Sequence, residues 1–288
     1  MPQFAVRLAA PDLRPWLGGN CGIAGAWSFT APEPGPHLAL FALTHGNEIA
    51  GAIVLNQILS AGIRPQRGRL SFVFANLDAF QAFNPENPIA TRYLEEDLNR
   101  LWGEDRLRGA RNSREMRRVR ELLPLVESVD VLVDLHSMLW PSDALTLASE
   151  TDASISLGLA LGTPRLTVAD PGHSAGRRLV DHARFTAPGS TAAAVLVEAG
   201  QHWEGATVDA MAQTAQRALG HYGIAGRAPA PLPEPPVLAR VTETVTATSH
   251  NFMFLREFRG GDIIPKAGTV IAQDGAREIR TPHDDCIL

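Results

Sequence analysis

The sequence of 288 residues contains only two cysteines, Cys21 and Cys286, which lie near opposite ends. Two thiols without C-x-x-C spacing provide neither a disulfide framework nor a cysteine-based metal site, and they favour a reducing, cytoplasmic location. The first residues lack the basic and then apolar pattern of a secretory signal peptide. No apolar run approaches the roughly 20 residues that a membrane-spanning helix requires. We therefore expect neither export nor a membrane partner.

The sequence also lacks an excess of basic charge. The net charge is −5, and 25 of the 26 basic residues are arginine, Lys266 being the exception. A mildly acidic chain is a poor candidate for binding nucleic acid. The arginine bias indicates genomic composition, so only arginines at particular positions can carry function. The 45% apolar and 20% charged fractions are typical of a globular protein with a sizeable core.

Strand-like apolar runs alternate with helical patterns in the first 226 residues. The strand-like runs lie at 37–44, 69–76, 129–138 and 192–197, and the clearest helical patterns lie at 48–61 and 207–222. Such alternation predicts an α/β fold with a parallel or mixed sheet between helices. Another helix is expected after Asn112, whose spacing of three residues from Glu115 predicts a capping box.

The composition changes at residues 227–237, which contain five prolines. A segment this rich in proline predicts a stiff linker or a domain edge. Short strand patterns separated by glycines follow, one of them at 240–247, and predict a small all-β module. We therefore expect an α/β domain at 1–226, a linker at 227–237 and a C-terminal β domain at 238–288. Exposed β edges in that domain favour self-association into a homo-oligomer.

The first strand-like run stops abruptly at His45-Gly46-Asn47-Glu48. In open α/β sheets, ligands bind beyond the carboxyl ends of the strands, and Gly46 allows a sharp bend there without a Cβ clash. His45 and Glu48 can face one cation, although a His-x-x-Glu pair also arises by chance or at a helix cap. His136 ends another strand-like run. Two histidines and one glutamate form a ligand set typical of catalytic zinc sites.

Two acidic residues accompany these strand ends. Asp134, two residues before His136, is placed either to hydrogen-bond a ligand imidazole or to cap a neighbouring helix. Glu198 follows the run at 192–197, and an unpaired acid buried there would destabilise the fold. We therefore interpret Glu198 as a general base rather than as a residue of the core.

The polar connection at 84–103 carries three further candidates, Arg92, Asn99 and Arg100. Arginines on such loops can polarise a carbonyl group or hold a carboxylate in a fork. Residue spacing alone leaves both roles open.

Five groups of short motifs occur in a distinctive order. They are T-H-G-N-E at 44–48, N-P at 84–85, R-Y at 92–93 with D-L-N-R at 97–100, D-L-H at 134–136, and V-E-A-G at 197–200. In this combination the sequence resembles the aspartoacylase/succinylglutamate desuccinylase family, relatives of the zinc carboxypeptidases. The resemblance implies an α/β fold with a zinc carboxypeptidase-like mixed sheet flanked by helices, followed by a small C-terminal all-β domain.

The resemblance also implies a zinc enzyme that hydrolyses the amide bond of an N-acylated amino acid or a similar small carboxylated amide. Glu198 would accept a proton from the attacking water, Arg92 would polarise the scissile carbonyl, and Asn99 and Arg100 would hold the substrate carboxylate. The ligands of one zinc ion per subunit would be His45, Glu48 and His136.

Two alternative functions stay open, a carboxypeptidase that acts on peptides and a non-catalytic metal-binding module. The stretch at 165–190 does not match the segments by which the family recognises the acyl group, so the sequence does not specify that group. We interpret His173, Arg177, Arg178 and His202 as surface residues rather than as substrate contacts.

Overall fold

The computed structural model describes residues 4–288, which form a mixed eight-stranded sheet, helices on both faces and a small C-terminal β region. The strands of the large sheet are β1 (Ala26–Thr30), β2 (Glu33–Ala42), β3 (Arg67–Phe74), β4 (Val131–Met138), β5 (Leu145–Ala148), β6 (Leu166–Ala169), β7 (Ala193–Gln201) and β8 (Val237–Arg240). Their order across the sheet is β1-β3-β2-β4-β7-β5-β6-β8. The predicted mixed sheet between helices is confirmed.

The central strands β3, β2, β4 and β7 run parallel to one another. Strand β2 shows why this part of the sequence is continuously apolar. Leu38 and Leu40 belong to the core on one face of the sheet, and Ala39 and Phe41 belong to the core on the other. Because successive side chains of a strand point to opposite faces, a strand buried on both sides has no polar alternation.

Seven helices connect and cover the strands in the described residues 4–288. They are α1 (Ile49–Ser60), α2 (Leu77–Gln81), α3 (Glu104–Arg108), α4 (Arg114–Glu127), α5 (Asp152–Leu161), α6 (Ala183–Thr186) and α7 (Gly205–His221). Helices α1, α5 and α7 contribute apolar side chains to one core, and α4 contributes to the other. Within the described chain, no helix is both long and apolar enough to cross a bilayer.

Helix α4 fixes the path of the 84–103 connection. Its cap is Ser113, whose Oγ accepts a hydrogen bond from the backbone N–H of Met116 at 3.0 Å, so the capping role predicted for Asn112 is wrong. The buried carboxylate of Glu115 instead accepts backbone hydrogen bonds from Leu94, Glu95 and Glu96 at 2.7, 3.2 and 3.3 Å. This contact holds the loop against the first turn of helix α4.

Beyond the proline-rich segment, β8 adds to the large sheet beside β6. The remaining strands form a two-stranded and a three-stranded antiparallel sheet. They are β9 (Phe252–Phe254), β10 (Ile263–Ile264), β11 (Val270–Asp274), β12 (Arg277–Arg280) and β13 (Cys286–Ile287). Their small core contains Ile264, Ile271, Ala272 and Ile279. The C-terminal β region is therefore present as predicted, although the strand expected at 240–247 ends at Arg240.

The topology brings the candidate residues together at the carboxyl ends of the central strands. Strands β2, β4 and β7 are neighbours and end on the same side. His136 on β4 pairs in register with Glu198 on β7, and the turn after β2 carries His45 and Glu48. Side chains that are far apart in the sequence thus meet at the carboxyl ends of three adjacent strands.

Candidate active site

His45, Glu48 and His136 form one buried cluster. One potential ligand atom from each residue lies within 4.8 Å of the others. Glu48 Oε1 is 2.8 Å from His45 Nδ1, and Glu48 Oε2 is 3.1 Å from His136 Nδ1. The two imidazole rings lie edge to face, with their centroids 5.0 Å apart. The Nδ1 atoms and the carboxylate therefore face a common point.

The close approach of the turn to helix α2 requires Gly46. A Cβ atom on this residue would lie 2.4 Å from the carbonyl carbon of Ala79. The glycine thus brings His45 and Glu48 into place because it allows contact with a neighbouring backbone, whereas the sequence had suggested that it allows a sharp bend.

The far side of each imidazole is bound by a carboxylate. His136 Nε2 donates to Asp134 Oδ2 at 2.7 Å, and Asp134 Oδ1 accepts from the hydroxyl of Thr44 at 2.9 Å. His45 Nε2 donates to Asp97 Oδ1 at 3.0 Å. A donated Nε2 proton leaves Nδ1 with a free lone pair, which is the form of histidine that binds a metal.

Electrostatics in the cluster favour positive charge. Burial lowers the pKa of His136, but the charges of Asp134 and Glu48 outweigh it and hold that pKa well above its ordinary value. Burial raises the pKa of Glu48, but the charges and hydrogen bonds of His45 and His136 outweigh it and hold that pKa well below its usual range. A field that stabilises an imidazolium also stabilises a bound cation.

Glu198 is the acid in this cluster that lacks a partner. Its Oε2 is buried and makes no hydrogen bond to any part of the chain between residues 4 and 288. Burial, together with the charge of Glu48, raises the pKa of Glu198 to about 8. Such a shift is common for groups that transfer protons, because the pKa then lies near the pH at which the protein works.

Arg92 reaches the cluster from the 84–103 connection. Its Nη1 lies 3.4 Å from Glu48 Oε1, and its Nη2 lies 3.4 Å from Asp97 Oδ2. The side chain is 36% exposed. The guanidinium therefore lies between the buried carboxylates and solvent, where it is accessible to a ligand.

Asn99 and Arg100 lie on a short 3₁₀ helix, Leu98–Arg100, beside Asp97. Asn99 Oδ1 accepts a hydrogen bond from the backbone N–H of Leu179 at 2.8 Å. Arg100 Nη1 donates to the backbone carbonyl of Asn99 at 2.8 Å. Burial raises the pKa of Asp97, but its hydrogen bond with His45 and the charges of Arg92 and Arg100 hold it well below the ordinary value. The two arginines thus share one acidic neighbour.

Two residues near the cluster were missed or misplaced by the sequence analysis. Asp97 is one of them, and its position within the D-L-N-R motif was the available signal. His202 is buried rather than on the surface, and its Nδ1 lies 2.8 Å from the Oγ of Ser137. Burial lowers the pKa of His202 to about 4, so its imidazole is neutral. The backbone N–H of Ser137 donates to Glu48 Oε2 at 3.0 Å.

Arg178 is also buried, which corrects its assignment to the surface. Its guanidinium donates to Asp181 Oδ2 and Oδ1 at 2.7 and 3.0 Å, and to Asp170 Oδ2 at 2.7 Å. Two carboxylates thus compensate its charge. Arg178 belongs to an internal ion-pair network that holds the loop before α6.

Comparisons with known proteins agree with the fold and with the motifs. The model of the succinylglutamate desuccinylase/aspartoacylase catalytic domain matches residues 34–221, which is more than half of the chain. No curated protein sequence matches the chain.

Several solved structures are similar to this chain. Succinylglutamate desuccinylase from Vibrio parahaemolyticus has 17% sequence identity and a TM-score of 0.67, and the match covers 91% of this chain and 79% of that one. A putative succinylglutamate desuccinylase/aspartoacylase from Shewanella frigidimarina has 16% identity and a TM-score of 0.63, with coverage of 93% and 89%.

The product-bound ectoine utilization protein EutE (DoeB) from Ruegeria pomeroyi has 16% identity and a TM-score of 0.59, with coverage of 90% and 79%. Likeness at these identities shows a shared fold. Together with the match over residues 34–221, it establishes that the chain belongs to the succinylglutamate desuccinylase/aspartoacylase family.

Proposed function

We propose that this protein is a zinc-dependent amidohydrolase that removes the acyl group from an N-acylated amino acid or a similar small carboxylated amide. One observation supports the proposal above the others. The unpartnered carboxylate of Glu198 lies on the strand next to His136, beside a buried cluster of two histidines and one glutamate. A cluster that only stabilised the fold would not need an adjacent acid with a buried oxygen that lacks a hydrogen-bond partner.

The donor set fits zinc. Two imidazole nitrogens and a carboxylate are ligands that zinc accepts in catalytic sites, and three protein ligands leave a position for solvent. Hydrogen bonds from the Nε2 atoms to Asp97 and Asp134 orient both rings and make them better ligands. We propose that one zinc ion per subunit binds to His45, Glu48 and His136. When bound, zinc acidifies water and polarises a carbonyl group.

Glu198 is proposed as the general base. Its Oε2 accepts a proton from the attacking water and then donates that proton to the nitrogen of the leaving amine. In the protein alone, the pKa of Glu198 is about 8. A nearby cation favours the ionised carboxylate and lowers this pKa, so that Glu198 is available as a base near neutral pH.

Arg92, Asn99 and Arg100 are proposed to bind the substrate. The exposed guanidinium of Arg92 donates hydrogen bonds to the carbonyl oxygen, where negative charge develops during attack. Arg100 and the amide of Asn99, one turn further along the same loop, hold the carboxylate of the amino-acid portion. The two contacts fix the scissile bond beside Glu198.

Both cysteines, Cys21 and Cys286, are free thiols, which supports the cytoplasmic location expected from the sequence. We propose that the enzyme works in a reducing compartment on a small-molecule substrate. The assignment of residues 1–226 to catalysis and of residues 238–288 to a C-terminal β domain, whose first strand completes the large sheet, is part of the same proposal, as is assembly into a homo-oligomer.

A substrate panel tests the proposed reaction. Zinc-loaded protein would be incubated with formyl, acetyl and succinyl amino acids and with short peptides, and the released amine would be measured. We expect hydrolysis of acyl amino acids that stops when a chelator removes the metal and returns with zinc. Faster cleavage of peptides would favour the carboxypeptidase alternative. Bound zinc without hydrolysis of any amide would favour a non-catalytic metal-binding module.

A further inference from the structure

A cavity of about 730 Å³ lies beside the candidate active site. Its walls come from the N-terminal segment at 4–6, from the loop at 85–90 and from Trp203. Cavities of about 300–1,000 Å³ are usual for small-molecule sites. The cavity is separate from the candidate metal site, because His45, Glu48, His136 and Glu198 do not line it.

Two of the walls are attached to the turn that carries His45 and Glu48. Trp203 Nε1 donates to the backbone carbonyl of Asn47 at 3.1 Å, and the backbone N–H of Gly46 donates to the carbonyl of Arg92 at 3.0 Å. Successive turns join the loop to Arg92, since the N–H of Arg92 donates to the carbonyl of Ile89 at 3.3 Å. The cavity therefore begins within two residues of Arg92.

Two unpartnered polar atoms lie on these same segments. Asn47 Oδ1 and Thr91 Oγ1 are buried and find no hydrogen-bond partner within residues 4–288. Their residues are 2% and 8% exposed. Buried polar atoms in native proteins are nearly always satisfied, if not by protein then by water or a ligand. Neither residue lines the cavity, but Thr91 lies between Ala90 of its wall and Arg92, so these atoms are available to water or to a polar group of a ligand beside the cavity.

The order of residues along the loop indicates which end of the substrate points toward this cavity. Asn99 and Arg100, which follow Arg92, are proposed to hold the carboxylate of the amino acid. Residues 85–90, which precede Arg92, line the cavity. A substrate with its carbonyl at Arg92 and its carboxylate at Arg100 would direct its acyl group away from Arg100 and toward the 85–90 wall.

The lining determines the chemistry of the group that fits. Eight of the ten described lining residues are apolar, including Phe4, Val6, Ile89 and Trp203. No lysine, arginine or histidine is among those ten, and the charged member is an acid, Glu86. Such walls stabilise an uncharged apolar group by burial. They offer a second carboxylate, such as that of a succinyl group, the neutral amide of Asn87 but no cation to compensate its charge.

We propose that this cavity binds the acyl portion of the substrate and selects uncharged, apolar acyl groups longer than acetyl. The inference rests on the proposed function, since it names the substrate class of the same reaction. The N-terminal segment contributes Phe4, which packs against Trp140 with ring centroids 5.6 Å apart. Each methylene buried in the cavity would raise kcat/KM about fourfold.

A series of acyl groups on one amino acid tests the proposal. The series contains acetyl, butanoyl, hexanoyl and succinyl, and the amino acid is the one that gives the fastest release. Butanoyl and succinyl groups both have four carbons, so their comparison isolates the charge. We expect kcat/KM to increase from acetyl to hexanoyl and to be at least tenfold higher for butanoyl than for succinyl. A flat series, or a preference for succinyl, would overturn the proposal.

Ala90→Phe tests the location of the acyl group. Ala90 is an exposed residue of the cavity wall, so an added ring fills space without disturbing the core. We expect the ratio of kcat/KM for hexanoyl to that for acetyl to fall at least tenfold. Ala228→Phe, at an exposed alanine in the proline-rich segment, is the matched control and should leave the ratio unchanged. An unchanged ratio in Ala90→Phe would contradict the assignment.

Calorimetric titration separates this inference from the proposed function. The hexanoyl and acetyl compounds would be titrated into the zinc-loaded Glu198→Gln variant, in which turnover does not obscure binding. Tighter binding of the hexanoyl compound, weakened by Ala90→Phe, supports the acyl cavity even if the wild-type protein hydrolyses neither compound. Equal binding of the two compounds overturns the cavity, whatever the wild-type rate.

Discussion

The two ends of the buried part of strand β2 each place a histidine in the interior, and the two residues have opposite surroundings. His37, the first buried residue of the strand, has its Nδ1 3.0 Å from the backbone carbonyl of Ser128 and its Nε2 2.8 Å from the Oγ of Ser71. These partners are neutral, and burial lowers the pKa of His37 to about 4. His45, beyond the carboxyl end, has a carboxylate at each nitrogen, Glu48 and Asp97.

The difference shows that burial of a histidine does not by itself indicate a site. His37 satisfies both nitrogens with uncharged groups and stabilises the fold as a neutral side chain. His45 shares its surroundings with several acids, and one of them, Glu198, has a buried oxygen without a hydrogen-bond partner within residues 4–288. An unpartnered acid beside the histidines distinguishes the candidate site from the satisfied surroundings of His37.

The largest effect on catalysis is expected from Glu198→Gln, on strand β7 beside the candidate site. The amide keeps the shape of the side chain but accepts no proton at physiological pH, so kcat should fall by about 10²–10⁴-fold, the usual contribution of a general base. Bound zinc, measured by elemental analysis of the dialysed protein, should stay at one per chain. A variant with wild-type kcat would show that Glu198 is not the base.

Asp134→Asn should weaken zinc binding without abolishing it. The loss of the carboxylate that accepts from His136 Nε2 should raise the zinc Kd by about 10–100-fold, the usual effect of such a partner. The Kd would be measured by competition with a chromogenic chelator. The control is Asp130→Asn, because Asp130 accepts from the backbone N–H of His37 at the other end of β2. Equal zinc Kd values for the two variants would contradict the proposed difference between the surroundings of His37 and the candidate metal site.

His37 should make the fold less stable in acid. Its pKa is about 4 in the folded protein, below its ordinary value of 6.5. Below pH 6.5 the unfolded chain therefore binds more protons at this residue than the folded chain does, and stability falls as the pH falls. The contribution lost between pH 7 and pH 5 is about 2 kcal/mol.

Urea unfolding at both pH values would measure this contribution. In His37→Asn, the free energy of unfolding should depend less on pH than in the wild-type protein, by about that amount. The exposed His221→Asn is the control and should behave like the wild type. If His37→Asn lost as much stability in acid as the wild type, the neutral state of His37 would be excluded.

The smallest effect is expected far from both ends of β2. Arg259 Nη2 lies 2.7 Å from Asp143 Oδ1 and joins the C-terminal β region to the loop after β4, but the two side chains are 57% and 68% exposed. Arg259→Gln should change the free energy of unfolding by less than about 1 kcal/mol, because water and salt screen such pairs. Activity should change less than twofold. A larger loss would show that this contact positions His136.

The sequence predicted that His45, Glu48 and His136 lie together because their positions follow from regular structure. His45 and Glu48 lie on one turn, and His136 ends a neighbouring parallel strand, so the carboxyl ends of the strands had to bring them together. Glu198 could be placed by the same reasoning. The family resemblance added roles for Arg92, Asn99 and Arg100, which irregular structure positions and which periodicity does not locate.

The partner of His45 could not be predicted because it depends on the path of a loop. Asp97 reaches His45 only because Glu115, on a helix later in the chain, binds three backbone N–H groups of the connection. The local pattern around Glu115 predicted a cap instead. Arg178 was misplaced for a similar reason. Asp181 follows it at the i,i+3 spacing, but its second partner, Asp170, reaches it only through the path of the loop.

Strand β8 has a consequence for shortened forms of the protein. It lies on the C-terminal side of the proline-rich segment, yet its backbone pairs with β6 at the border of the large sheet. A chain that stopped at residue 236 would leave the N–H and C=O groups of β6 on that side without this partner. Strand β6 would then replace β8 as the edge strand, without the prolines and Arg240 that discourage pairing at the present edge. We therefore expect such a fragment to associate with strands of other molecules more readily than the full chain does.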